Sequence, residues 1–268
     1  MNRRNALHDA ISAKGSLLVL FSGGLDSTVL AKVAGHALGE EACALTISSP
    51  IIPRADLEEA RAAAGLIGIR HVFLELNELE ADPGFAVNPP DRCYRCRKLR
   101  NALVLPWARG HGFATVADGL NSSDLKDYRP GIRASFEDGI WQPFIELGIT
   151  KEELRTMAKD LDLPRWDRPG TVCLCSRFPC GFPLREELLR RVEAAEEFVR
   201  GLGFLEVRVR YFPYDAALVE VDDPDKAVYH RNPIVKRLRD LGFSFVSLDL
   251  EGFVSGKMNR VIPGAQRS

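Results

Sequence analysis

The chain has 268 residues, enough for one large domain or for two of which one is modest. It is 46% hydrophobic and 27% charged, close to globular averages, which excludes intrinsic disorder and fibrous repeats. With 36 basic against 37 acidic residues the formal charge is −1, so the chain lacks the basic excess of a protein that holds long nucleic acid by charge, and a small substrate is expected.

The predicted elements begin with a short apolar run at 16–21 (SLLVLF) that ends in glycines, the pattern of a buried parallel strand. From 26 to 38 apolar residues recur at helical spacing, with Asp26 and Ser27 suited to the helix start. A strand follows at 43–47, then a proline-opened helix rich in alanine and glutamate at 53–67. Further strands are predicted at 71–76 and 113–117, with helices at 98–109 and 151–161. This rhythm predicts an α/β fold, a parallel sheet with helices on both faces. Residues 163–183 then hold four prolines, two glycines and three cysteines, a structured loop carrying chemistry or a linker. A charged helix at 185–202, strands at 206–212, 217–221 and 245–250, and a helix at 234–241 complete the reading. The expected organisation is a domain at 1–183 and a small C-terminal α+β domain at 184–268.

No apolar run approaches the roughly 20 residues that span a bilayer, so no membrane partner is expected. The opening MNRRNALHDA meets acid before any long apolar core, unlike a signal peptide, and the protein reads as cytoplasmic. Its six cysteines would then sit in a reducing compartment, where metal or catalytic roles outweigh disulfides.

Ser22-Gly23-Gly24-Leu25-Asp26-Ser27 lies between the first strand and the first helix, where open α/β sheets bind ligands. Glycines let backbone approach an anion, and a helix N-terminus adds unpaired N–H groups and partial positive charge. Asp26 beside a phosphate is wrong by charge alone unless it caps the helix or holds magnesium. The loop has neither the lysine of a Walker A motif nor the spacing of a dinucleotide fingerprint. Its bland alternative is a helix capped by a Gly-Gly turn. SGGLDS resembles the PP-loop of ATP pyrophosphatases (adenine nucleotide alpha hydrolase-like fold), enzymes that adenylate a carbonyl or carboxylate oxygen. The resemblance implies ATP and magnesium as cofactors.

Five cysteines fall in two clusters. Arg92-Cys93-Tyr94-Arg95-Cys96-Arg97-Lys98 is a CxxC among four cations, which favour the thiolate. Cys173, Cys175 and Cys180 lie far along the chain. A tetrahedral zinc site would suit CxxC plus a distant CxC, while a redox CxxC lacks a thioredoxin-like setting. Cys43, in a strand, reads as an ordinary core residue.

Over nearly 240 residues the sequence is similar to the LarE family, PP-loop enzymes that insert sulfur into a pyridinium carboxylate nucleotide, the precursor of the nickel-pincer nucleotide cofactor of lactate racemase. The motifs are SGGLDS (22–27), TISSPIIPRADLEEARAAA (46–64), RCYRCRK (92–98), DGLNSSDLKDYRPG (118–131), DRPGTVCLCSRFPCG (167–181), VRVRY (207–211) and SGKMNR (255–260). The resemblance implies that Ser22, Gly23, Gly24, Asp26 and Ser27 cradle the ATP phosphates, with Asp26 on magnesium, and that Ser48, Gly119 and Asn121 lie near the adenosine. Cys173 matches the family cysteine that delivers sulfur, either by losing its own or, with Cys93 and Cys96, by holding a [4Fe–4S] cluster. The presence of the CxxC favours the cluster. Ser176, Arg177, Arg208 and Arg210 match positions that hold the substrate phosphate, and the alternation of 207–210 puts both arginines on one strand face, which by itself is equally a solvated face. Asp124, Asp127 and Arg129 match a family loop. Homo-oligomers are implied as well.

Cys175, Cys180, Ser123, Arg168 and Phe212 depart from the family pattern. Three rivals remain. A tRNA thiolase needs an RNA path that neither the charge nor the short C-terminal domain provides. An ammonia-using synthetase of the NAD-synthetase type has no use for two cysteine clusters. A zinc-stabilised nucleotide-binding protein would bind ATP without turnover.

Overall fold

The structure, a computed structural model, describes residues 3–126, 130–164, 172–254 and 256–261. Asp127, Arg129 and Arg168 therefore lie outside the described residues. The chain divides into two compact units, residues 1–77 with 91–171 and residues 78–90 with 172–268.

In chain order the elements begin with α1 (Arg3–Ser12), β1 (Leu17–Leu20), α2 (Leu25–Leu38), β2 (Ala42–Ser48), α3 (Arg54–Ile67) and β3 (Arg70–Glu75). Two short helices, α4 (Glu78–Ala81) and α5 (Pro83–Ala86), belong to the second unit. The first unit resumes with α6 (Arg92–Gly110), β4 (Thr115–Ala117), α7 (Pro130–Glu137), α8 (Pro143–Glu146) and α9 (Lys151–Asp160). The second is completed by α10 (Glu186–Gly201), β5 (Val207–Phe212), β6 (Ala216–Val221), α11 (Pro224–Tyr229), α12 (Arg231–Asp240) and β7 (Phe245–Leu248).

In the first unit the strands run parallel in the order β3-β2-β1-β4. Successive side chains leave opposite faces of a strand, so the continuous apolar run of β1 feeds two cores. Leu17 and Val19 pack with Leu7 of α1, Val29 and Val33 of α2, and Leu154 of α9. Leu18 packs on the other face with Cys43, Leu45 and Val104 of α6. Helices thus cover both faces, and the α/β fold read from the sequence is the fold observed. Cys43 is a core residue, and burial pushes its thiol pKa up against the opposing influence of Arg70.

Helix α6 starts at Arg92 rather than at 98, so the CxxC occupies its first turns. The amides of Tyr94 and Arg95 donate to the Asp91 carbonyl, 2.9 and 3.1 Å away, which starts the helix there. Side chains from the end of α7 hold that region. The Tyr94 hydroxyl donates to Glu137 over 2.6 Å, and Lys98 and Asn101 both donate to Asp138. Helix α1 escaped the periodicity reading because its apolar stripe is thin, with Leu7 and Ile11 its buried residues.

The second unit carries a three-stranded sheet in the order β5-β6-β7, with β5 antiparallel and β7 parallel to β6. Leu188, Leu189, Val192 and Val199 give α10 its buried face. Among the described residues, no helix is long and apolar enough to cross a membrane.

Candidate functional site

The glycine loop joins β1 to α2 at the carboxyl end of the parallel sheet. Gly23 has φ +72°, the left-handed region that glycine enters without steric cost. A Cβ there would stand 2.7 Å from the Cα of Ala60 on α3, so the bend is also a close backbone contact. Two serines knit the loop together. Ser27 Oγ donates to the Gly24 carbonyl over 3.1 Å and accepts from the Ser22 amide over 3.2 Å. Ser22 Oγ lies 3.2 Å from Ser27 Oγ and accepts from the Gly24 amide over 3.3 Å. Gly24 caps α2 with no side-chain hydrogen bond, so the first amides of that helix keep their donors for a ligand.

Asp26 is in the first turn of α2 and does not cap it. Its Oδ1 accepts from Lys151 Nζ at 2.6 Å and its Oδ2 from Asn121 Nδ2 at 3.1 Å. Asn121, buried, also donates to Asp124 from its side chain and its amide, over 2.9 and 3.1 Å. Gly119 follows β4, and a Cβ there would stand 3.0 Å from the Ser27 amide nitrogen, so the end of β4 lies directly against the start of α2. Asp118, just before it, is buried; burial raises its carboxyl pKa, and Arg97, 3.7 Å away, opposes that rise. Ser48 closes β2, and its carbonyl accepts from the Leu76 amide. The fold thus brings Ser22, Gly23, Gly24, Asp26, Ser27, Gly119 and Asn121 together, with Ser48 at the end of the neighbouring strand β2.

Sequence reasoning missed Lys151, which it read only as the start of a helix. The signal was there: Thr150 and Glu153 form a capping box, with the Glu153 amide 3.3 Å from Thr150 Oγ1. That box fixes Lys151 at the first helical position, and its amide also donates to Ser123 Oγ over 3.2 Å. No spacing rule tells a reader that this position faces Asp26, 125 residues earlier.

Cys93 is exposed and Cys96 half-buried, three positions apart on α6 and therefore on one helix face. Cations flank them, yet Arg95 pairs with Asp91, Arg97 with Asp118 and Lys98 with Asp138. The electropositive setting read from the sequence is therefore largely neutralised by carboxylates. Among the described residues no set of three or more His, Cys, Asp or Glu side chains forms a metal-binding group. Cys93 and Cys96 belong to the first unit, and the third residue of the implied set, Cys173, belongs to the other.

In the second unit Cys173, half-buried, precedes a short 3-10 turn, Leu174–Arg177. Arg177 is only 2% exposed and gives its guanidinium to the interior. Nε and Nη2 donate to Glu196 on α10 over 2.8 and 3.0 Å, while Nη1 reaches the carbonyls of Val172 and Cys173 and Ser176 Oγ. Burial would push the Glu196 carboxyl up, but Arg177, Arg200 and Arg208 together hold it below the usual range. Arg210 donates twice to buried Glu220, over 3.0 and 2.7 Å, and once to the Ser176 carbonyl over 3.1 Å. Arg208 is half-buried over the Phe253 ring, and its hydrogen bond among the described residues goes to the Val207 carbonyl. Burial, then Arg177, lowers the Arg208 pKa. The four substrate residues read from the sequence are thus neighbours, but Arg177 and Arg210 spend their forks on carboxylates. Cys175 is buried, and Cys180 is exposed, its Sγ 3.5 Å from the Asn88 carbonyl.

Comparison with known proteins agrees with this geometry. The asparagine synthase family matches residues 4–83, which contain the glycine loop. An uncharacterised protein of Synechocystis sp., slr1717, is 42% identical over 91% of this chain and 92% of its own length. The pyridinium-3,5-bisthiocarboxylic acid mononucleotide synthase of Lactiplantibacillus plantarum is 34% identical over 92% of this chain and 90% of that protein. The chain belongs to the LarE family. An NH(3)-dependent NAD(+) synthetase of Finegoldia magna is 29% identical over 58% of this chain, a likeness that stops well short of the LarE match. As a LarE family member with a PP-loop, the chain is an ATP-dependent enzyme.

Two outcomes follow. Gly23→Ala forces a Cβ into Ala60 and strains φ, so ATP affinity falls at least about tenfold while the chain still folds, at a cost of about 1–3 kcal/mol; titration calorimetry with unaltered affinity would rule this out. Arg177→Met strips buried Glu196 of its bidentate partner, and urea unfolding should show a loss of about 3 kcal/mol, with Arg200 softening the damage. Adding Glu196→Leu should return only part of it, because the buried Val209 amide also donates to that carboxylate. A stable single variant would mean that Arg177 is not a structural anchor.

Proposed function

We propose that this enzyme uses ATP to adenylate a pyridinium carboxylate mononucleotide and then exchanges a carboxylate oxygen for sulfur, in the synthesis of the nickel-pincer nucleotide. The observation that carries this reading is Cys173 held in place by Arg177 beside Ser176, Arg208 and Arg210, in a chain whose other unit carries the glycine loop. The L. plantarum relative is named for such a bisthiocarboxylic product.

The chemistry explains why both parts are needed. A carboxylate resists attack because oxide is too poor a leaving group. Its oxygen attacks the α-phosphorus of ATP, the bond to the β-phosphate oxygen breaks, and pyrophosphate departs into the glycine loop. The acyl carbon now carries AMP as leaving group. A sulfur nucleophile forms the C–S bond, the C–O bond to AMP breaks, and a thiocarboxylate remains. Helix α2 and the loop amides stabilise the departing charge, and Lys151 is placed to exchange Asp26 for a phosphate oxygen. Each Asp26 oxygen keeps a lone pair beyond its present hydrogen bond, which suits it as one ligand of a magnesium ion otherwise held by water and phosphates.

Cys93, Cys96 and Cys173 would hold a [4Fe–4S] cluster, which would supply the sulfur for the exchange. The chain's own contribution is to hold the Cys173 loop through Arg177 and to offer Arg208, with Ser176, to the substrate phosphate. In this reading residues 184–268 form the substrate-binding and self-association part of a cytoplasmic homo-oligomer. Exposed Leu205, Tyr229, Phe245 and Leu250 support the self-association.

The test is pyrophosphate release and product mass with the pyridinium-3,5-biscarboxylic acid mononucleotide as substrate, in protein purified without oxygen. Nucleotide-dependent release with a sulfur-for-oxygen gain in product mass supports the proposal; release without sulfur gain, or with bulk tRNA alone, overturns it. Asp26→Asn should cut pyrophosphate release on the order of a hundredfold with the fold intact, and undiminished release removes Asp26 from the site. Cys173→Ala should abolish sulfur transfer yet bind ATP normally, whereas retained transfer would move the chemistry to Cys175 or Cys180. Iron and acid-labile sulfide that vanish in Cys93→Ala identify a cluster; zinc instead makes the cysteines structural, and a chain that loses sulfur on turnover makes Cys173 sacrificial.

A further inference from the structure

Three strands contribute to a polar chain beneath the glycine loop that the mechanism above does not use. Phe21 follows β1, Thr46 lies in β2 and His71 in β3. Thr46 is 5% exposed, and its Oγ1 stands 2.7 Å from the Phe21 carbonyl oxygen and 2.8 Å from His71 Nε2. A carbonyl only accepts, so the threonine proton goes to Phe21 and the imidazole must donate from Nε2. The tautomer of His71 is thereby fixed. Its ring is wedged against Phe21, edge-on with centroids 5.4 Å apart, and against Phe73 at 4.5 Å. Burial, with Arg61 as the nearby cation, pushes the His71 pKa down to about 4, so at neutral pH it is the uncharged donor this chain requires.

The consequence lies in the next peptide. In a trans peptide the C=O and the following N–H point in opposite directions. With the Phe21 carbonyl drawn down to Thr46, the Ser22 N–H is turned up into the loop, where it meets Ser27 Oγ at 3.2 Å. A cradle for anions works only if amides face inward and carbonyls face away. A rotated 21–22 peptide would present a carbonyl oxygen to the triphosphate.

We propose that Thr46 and His71 are positioning residues that lock the Phe21–Ser22 peptide and so preorganise the loop for the phosphates of ATP. This rests on the reading of residues 22–27 as the phosphate cradle. The lock has two links, and each can be cut without changing the shape of the site. Thr46→Val removes the hydroxyl, His71→Phe keeps an aromatic ring without its donor, and Thr46→Ser keeps the hydroxyl.

The experiment measures the affinity of the full-length chain and these variants for ATP, inorganic pyrophosphate and adenosine by titration calorimetry, beside each melting temperature. Thr46→Val and His71→Phe should each bind ATP and pyrophosphate about tenfold more weakly, with adenosine affinity unchanged, and Thr46→Ser should match the parent chain. Equal weakening toward adenosine, or a lowered melting temperature with all affinities intact, would reduce the chain to a structural support and overturn the proposal. If Thr46→Val does not fold, His71→Phe carries the comparison. A parent chain that fails to prefer ATP over adenosine refutes the cradle itself; a parent that prefers it, with variants that do so equally, refutes the lock alone.

Discussion

The left-handed bend at Gly23 sets what the nucleotide end of the first unit can do. It brings backbone within contact of Ala60 on α3, where a single Cβ would leave 2.7 Å to the Ala60 Cα. From that bend the chain enters α2 with Gly24 as its cap, so amides that a serine or aspartate cap would occupy stay available. The neighbouring strand end makes a matching concession at Gly119, which lies against the Ser27 amide. Two glycines thus let three elements meet where an anion must be held by backbone. The serines of the loop then hydrogen-bond each other, so the loop is shaped before any ligand arrives.

The second unit solves a different problem, that of fixing Cys173 on irregular backbone. A loop has few bonds of its own, and Cys173 stands at the start of a single 3-10 turn. Arg177 supplies the missing constraint from within that turn. One nitrogen binds the carbonyls of Val172 and Cys173, and the rest of the fork is anchored on Glu196 of α10. Taking a guanidinium out of water is costly, and the cost is offset because its charge and most of its donors find partners. Arg210 repeats the device with Glu220 and ties its strand to the Ser176 carbonyl. Three arginines that look alike in the sequence therefore do different work: two brace the loop, and Arg208 keeps its hydrogen bond to backbone and its face to an aromatic ring.

Much of this was legible in the sequence, and the limits have physical causes. The strands of the parallel sheet announced themselves because burial on both faces demands apolar runs; β1 is unbroken and β2 is interrupted inside by Thr46 alone. The glycine loop was legible because only glycine meets both the φ and the space at position 23. The CxxC was seen, but its helix was not, since Arg92–Lys98 has no apolar stripe and is held instead by carboxylates such as Asp138 and Glu137, some 40 residues on. Arg177 and Arg210 were read as ligand contacts because sequence shows a cation and conceals its partner; Glu196 and Glu220 are distant in chain and indistinguishable from surface acids. Lys151 and His71 escaped for the same reason. Each acts through one contact across the fold, and no periodicity encodes a contact of that kind.

In the proposed reading Asp26 poses the sharpest electrostatic question, since a carboxylate beside a triphosphate should repel it. The structure answers with Lys151, whose ammonium sits 2.6 Å from Oδ1, and with Asn121 on Oδ2. The pair is only part-buried, at 34% and 19% exposure, so parting it is inexpensive by comparison with the pair at Arg177. In the proposed reading, an arriving ATP with its magnesium would bring both counter-charges at once, an anion for Lys151 and a cation for Asp26. The ion pair would then hold the two groups in place until nucleotide takes them over, while the capping box at Thr150 fixes Lys151 at the start of its helix.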